Sequence, residues 1–375
     1  MRSCFVKLGF CMLVLFLESC IEPFSPPEVN SDENYLVVDG FLNVGNDTTV
    51  VQLRRSQNVN LIADPIIESG AAVSVESESG EVAAFSEAGL GYYILPPRQY
   101  NTSDKYRLRI KTSGGKEYLS EYVTVTVTPP IDSVEGRYDP GQDAMVFYVN
   151  THDPQNKTHF YRWKFEETWE YRTAFYTGLE VVDKQIVARN IDVNRCWGNS
   201  KSGGILLGST IKLSSDIIKD LPIFRVPVYT NKLFIRYSVL VKQYGLSRPA
   251  FEYWTDLSKT TQGTGSLFDP QPSQVTGNIT NTADPKDLVF GYFSASTEEV
   301  KRIIIAPKLG EYPRCMAADT FDVVCNPLSE RQCALETSSL LMNYAGQRSE
   351  FVLGASPSCT DCRTQGGTLQ RPAFW

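Results

Sequence analysis

The sequence predicts a mainly β protein: an N-terminal Ig-like or prealbumin-like β-sandwich, followed by a second β-rich domain with inserted helices and a disulfide-stapled C-terminal tail. Three observations predict it. Residues 34–128 alternate apolar and polar side chains in period two between turn-forming clusters, the pattern of half-buried strands. The alternation resumes, richer in aromatic residues, beyond Pro129 and Pro130. The cysteines of the folded part are confined to the second half, at Cys196, Cys315, Cys325, Cys333, Cys359 and Cys362.

The N-terminus is not part of that fold. Arg2 and Lys7 precede an apolar run from Leu8 to Leu17, and Ser19 and Cys20 follow it, the order of a secretory signal peptide over residues 1–19. The run is too short to span a bilayer as a helix, which takes about 20 residues. Its end, "LESC", resembles the cleavage box of bacterial lipoproteins, which implies a lipid on Cys20; ordinary secretion with cleavage near Ser19 is the alternative. Two or three acyl chains, at about 0.8 kcal/mol per buried methylene, hold a protein on a membrane without spanning it. Residues 20–33, rich in Pro, Ser and acids, read as a tether. Ile21 stands where an Asp is the enterobacterial signal for inner-membrane retention, so the expected place is the outer membrane, exposed at the cell surface.

Composition narrows the function classes. The chain has 375 residues, room for two or three domains, and a net charge of -7 without basic clusters, which argues against nucleic acid as a partner. Six cysteines in an exported chain form up to three disulfides, whose pairing cannot be read from spacing.

Seven strands are expected in the first domain, residues 34–130: 35–42, 48–54, 71–77, 81–86, 91–97, 105–111 and 118–128. In the last, Val123, Val125 and Val127 should point one way and Thr124, Thr126 and Thr128 the other. The two prolines at 129 and 130 then mark a boundary. The second domain, 131–375, opens with strands at 144–150 and 159–173. In the latter Tyr161, Trp163, Phe165, Trp169 and Tyr171 share one face, and Arg162, Lys164, Glu166, Thr168, Glu170 and Arg172 the other. Glu167 alone interrupts the aromatic face. A carboxylate there must find a partner or shift its pKa upward, so Glu167 with neighbouring Trp169 is either a binding or acid group or a salt-bridged structural residue. A helix is expected near 248–260, capped by Ser247, with Ala250, Tyr253, Trp254 and Leu257 on one face. "SERQ" at 329–332 reads as a capping box opening a second helix near 329–345. Between them runs a long loop carrying Phe268 and Asp269, of the length that faces partners or ligands.

Catalytic constellations do not stand out. His152 and His159 are the two histidines, and a histidine-based metal cluster or Ser-His-Asp triad is not expected. "GGILLGST" has Ser209 where a phosphate loop needs lysine and reads as a turn beside a strand. No cofactor and no metal are expected. The ending "CTDCRTQGGTLQRPAFW" holds one Cys-x-x-Cys pair, where a zinc ribbon needs two, and no strand-to-helix junction of a redox site. Cys359 and Cys362 therefore read as staples for the terminal tail, with Gly366 and Gly367 turning the backbone and Phe374 and Trp375 tucked into the domain.

Several segments together resemble a family. "YLVVDGFL", "SGAAVSVES", "KYRLRIK", "PPIDSV", "GSLFDPQPSQVTGNI", "GYFSAS", "RIII" and the C-terminal ending follow, in order, the domain of unknown function 4249 family of Bacteroidota lipoproteins. The resemblance implies an outer-membrane lipoprotein, often encoded beside a TonB-dependent receptor, and brings no catalytic residues. "DTT" and "DSV" also resemble the short O-glycosylation acceptor of that phylum, at Thr48 and Ser133. The leading expectation is a non-enzymatic accessory or ligand-capturing subunit of a TonB-dependent transporter, its small-molecule, glycan or peptide ligand unnamed. The alternatives are a cell-envelope assembly factor and a surface hydrolase using Glu167 or the loop around Asp269.

Overall fold

The fold is taken from a computed structural model that describes residues 34–45, 47–57, 64–262, 275–310, 315, 318–337, 339–345 and 350–375. Residues 35–375 form one compact unit. It comprises two β-sandwiches, the first completed by a segment from far along the chain, and a cystine-bridged C-terminal region.

Alternation builds the first sandwich. In the strand Lys105–Lys111, Tyr106, Leu108 and Ile110 are buried, while Arg107 and Arg109 lie on the outer face against Glu76 at 2.6 and 2.8 Å. One sheet runs in the order Val289–Phe290, Leu36–Gly40, Thr49–Arg55, Tyr92–Leu95, Ser86–Gly89. The facing sheet is centred on Lys105–Lys111, which pairs with Ala72–Ser77 on one side and with Glu117–Ser120 and Val123–Thr126 on the other. Their inner faces close over a core that includes Leu36, Leu53, Val75, Leu108, Tyr118 and Phe293.

Two sequence expectations need correction here. The strand at 118–128 is split at Glu121 and Tyr122, and its valine face does not persist: Val127 is 60% exposed, while Thr128 is buried. Thr128 faces inward because its hydroxyl donates to the Thr297 carbonyl and accepts from the Gly245 amide, bonds a valine cannot make. Nor do Pro129 and Pro130 close the first domain. Ile279–Asn281, Val289–Phe290 and Ala295–Ser296, from far into the segment read as the second domain, pair with Glu117–Ser120, Leu36–Gly40 and Val123–Thr126. Ile279, Val289, Phe293 and Ala295 fill its core. The return is close enough to require glycine: a Cβ on Gly291, at φ +131°, would stand 2.1 Å from the Val38 carbonyl oxygen.

The second sandwich packs Ile131–Asp139, Ala144–His152 and Ile217–Pro227 against the sheet Arg195–Lys201, Phe160–Arg172, Arg236–Gly245, Glu298–Ile305. Its core stacks Phe147 on Phe224 at 4.6 Å and holds Tyr161, Trp163, Val239 and Val241. The helix Arg248–Gln262 follows, with Ala250 and Tyr253 buried on its inner face and the Ser247 hydroxyl accepting from the Ala250 amide.

Among the described residues of 329–345 no helix forms. The segment turns through Ser329–Glu336 and enters the strand Leu340–Ala345, which pairs with Phe351–Ala355. The capping-box serine is otherwise engaged, donating to the Asp322 carboxylate. Cys333 is disulfide-bonded to Cys325 and bridges Asp322, so the first turn is held against a strand and cannot wind.

Candidate functional site

The alternation of Phe160–Arg172 also decides which of its side chains meet a cavity. With Tyr161 and Trp163 committed to the core, Arg162, Lys164 and Glu166 stand on the opposite face. That face is roofed by the first sandwich. Asp39, Gly40 and Phe41 come from the end of its first strand, and Tyr292, Ser294 and Ser296 from the returning segment. Trp254 closes one end from the helix. The recess opens into a cavity of about 500 Å³ whose far walls carry Thr48, Gln52, Lys201, Lys242 and Glu298.

Aromatic rings frame the recess. Phe41 meets Tyr244 edge-on at 4.9 Å, and Tyr253 links Trp254 and Tyr292 with centroids 5.2 Å from each. The Arg162 guanidinium lies 3.5 Å above the Trp254 ring, a cation–π contact worth about 1–2 kcal/mol when desolvated. Its Nε is sealed from solvent and has no hydrogen-bond partner among the described residues. Burial pushes Arg162 down to about 10, against the pull of Asp39. Lys164 is lowered as well, by burial first and by the neighbouring Arg162 second.

The acids of the cavity are partly spoken for. Glu166 pairs with Lys242 at 3.0 Å, and Glu298 accepts from the Tyr244 hydroxyl. Although burial opposes it, Glu298 and then Glu166 hold the Lys242 ammonium above its ordinary pKa. Asp39 lines the recess, yet among the described residues neither Arg162 nor Lys164 forms an ion pair with it or with any other acid. Two cations two positions apart on one strand face, about 6.6 Å between Cα atoms, thus share a half-buried recess without a bonded counter-charge.

The residues singled out in the sequence fall elsewhere. Glu167 lies on the other face of the strand and is 7% exposed. Both its oxygens stand 2.9 Å from Lys232 Nζ, and Tyr237 donates to Oε1 at 2.6 Å. Burial and then Glu167 push the Tyr237 phenol far up. Trp169 packs over Gly198, where a Cβ would come within 2.5 Å of the indole, with Lys232 Nζ 4.6 Å from its ring. Thr48 lines the mouth of the cavity; the Ser133 hydroxyl, part-buried, accepts from Asn150 at 2.9 Å and lies apart from it. Cys20, Phe268 and Asp269 lie outside the described residues. Arg162 and Lys164 had a signal in the sequence, two cations opposite an aromatic face, but the wall that makes a recess of that face comes from residues 39–41 and 292–296.

The six cysteines pair as Cys196–Cys362, Cys315–Cys359 and Cys325–Cys333. The Cys-x-x-Cys pair is therefore two staples with different partners. Around the first, the Tyr171 hydroxyl donates to the Cys362 carbonyl at 2.7 Å, and Gly367 passes so close that a Cβ would stand 2.2 Å from that hydroxyl. Trp375 Nε1 donates to Glu170 at 3.0 Å, while Phe374 remains 41% exposed under the Arg302 guanidinium.

Among known proteins, the family described as Domain of unknown function (DUF4249) matches residues 21–302. The chain belongs to that family. The DUF4249 match covers the first sandwich, the second up to the middle of its strand Glu298–Ile305, and all residues of the cavity, and it ends before the cysteine-rich C-terminal ending that contributed to the sequence resemblance. No curated protein matches the chain. Among 62 matching chains of solved structures is one from a cytokine receptor complex, 11% identical, covering 56% of this chain and 90% of that one at a TM-score of 0.18.

Proposed function

We propose that this DUF4249 protein is a lipid-anchored, non-enzymatic ligand-capturing subunit that works with a TonB-dependent transporter at the outer membrane. The single observation that carries the capturing role is the recess between the sandwiches. Among the described residues Arg162 and Lys164 stand in it without bonded acids, and rings of Phe41, Tyr244, Trp254 and Tyr292 frame it. Such a site holds and orients a ligand; the residues lining it offer charge and apolar surface, the ingredients of recognition. The anchor rests on Cys20 and its "LESC" context, and the transporter on what the family resemblance implies.

The test is affinity purification of a C-terminally tagged copy from native outer membranes, with co-purifying proteins identified by mass spectrometry. A barrel receptor recovered in stoichiometric amount is the expected result. Recovery of the lipoprotein alone removes the transporter from the proposal and leaves a free-standing binder.

A further inference from the structure

We propose that the recess between the two sandwiches is an oxyanion site: it takes a small ligand bearing a carboxylate or phosphate group, held by Arg162 and Lys164. This deepens the capturing role proposed above and does not depend on the transporter.

The argument starts from the cost of what the fold does. Desolvating a cation is unfavourable unless a partner compensates, and two like charges on one face repel in addition. Neighbouring cations in this protein are treated differently. Lys242 is paired with Glu166, Lys232 with Glu167 and Arg195 with Glu170, at 3.0, 2.9 and 2.6 Å. Arg162 and Lys164 lie on the same strand as those three glutamates and are bonded to none of them.

Geometry then narrows the missing partner. One face of the Arg162 guanidinium is covered by Trp254 at 3.5 Å, so hydrogen bonds must be made in the guanidinium plane. A planar fork of N–H donors matches the paired oxygens of a carboxylate or phosphate, and Lys164 adds a point charge beside it. The cavity of about 500 Å³ beyond the recess receives the body of the ligand. Its lining of Tyr244, Gln52 and Ser202 suits a body with both apolar and hydrogen-bonding parts. Asp39 faces the same recess and works against an anion.

The experiment is titration of the full chain, solubilised or without its lipid, followed by calorimetry and by Trp254 fluorescence. The probes are N-acetylglycyl-phenylalanine, the amide of the same peptide, and phenyl phosphate. The acid or the phosphate should bind at least roughly tenfold more tightly than the neutral amide, and whichever binds better identifies the oxyanion. Lys164→Gln and Arg162→Lys should each weaken that anion roughly tenfold, the second because lysine keeps the charge and loses the fork. Asp39→Asn should strengthen it, a sign that no loss of folding produces. Affinity for the amide equal to that for both anions, no binding of either anion, or an Asp39→Asn protein that binds no better than wild type overturns the proposal. A failed receptor pull-down with intact anion binding would remove the transporter and leave this site standing.

Discussion

The first sandwich and the C-terminal region solve the same problem, tying distant chain segments together, by different means. The sandwich holds its returning segment through ladder hydrogen bonds and a core that Val289, Phe293 and Ala295 complete. The region after residue 315 has a much smaller buried cluster, Phe321, Ala334, Leu341 and Val352, joined by Leu179, and each of the three disulfides has at least one cysteine in that region. A large apolar core needs no covalent help, whereas a small one gains from cross-links that restrict the unfolded chain. The difference teaches where the cysteines are: they follow the shortage of core.

The hardest way to break that comparison is to separate the sandwich from its returning segment. Residues 34–130 expressed alone should remain unfolded by circular dichroism, because Ile279, Val289 and Phe293, each worth about 1.5–3 kcal/mol on burial, are missing from the core. A cooperative melt of that fragment would show that the returning strands are ornament.

A smaller but substantial loss should follow from Cys196→Ala with Cys362→Ala. That bridge spans 166 residues, so the chain-entropy account gives about 5 kcal/mol, read as a lowered denaturant midpoint under oxidising conditions. If the loss is instead within about 0.5 kcal/mol, the surrounding hydrogen bonds of Tyr171 and Trp197 hold the tail by themselves.

The finest probe is Asp287, which fastens the returning segment by accepting from Lys116 and Tyr118 at 2.9 Å and from Asn281 at 2.7 Å. Against the opposing effect of burial, these partners, with Lys116 first, hold its carboxyl below the ordinary 3.8. A depressed folded pKa contributes stability that is fully present above the unfolded value and is lost as pH falls through the folded one. Asp287→Asn should therefore cost about 1 kcal/mol at neutral pH and flatten the acid limb of the stability profile below about pH 4. An unchanged acid limb would assign that limb to other carboxylates.

Much of this was legible along the chain. Period two placed most strands of the first sandwich and, in the second, Ala144–His152 and Phe160–Arg172 but not Arg195–Lys201, Ile217–Pro227 or Arg236–Gly245; Ser247 and its apolar repeat placed the helix, and the one Cys-x-x-Cys pair pointed to staples. Helix-like capping at 329–332 misled because a local signal is weak against a disulfide and a strand partner formed at a distance. Glu167 drew attention as a carboxylate among aromatics, and its answer, Lys232 and Tyr237, sits on elements that the strand's own pattern cannot see.

What the sequence by itself determined is therefore what local physics controls: the alternation that makes strands, and an aromatic face opposite a charged one on Phe160–Arg172. Only the tertiary structure decided that residues 279–296 complete the first sandwich, which cysteine meets which, and that Arg162 and Lys164 look into a recess and not into water. Each of these depends on surfaces from far-apart segments meeting, and a surface becomes a site only when something covers it.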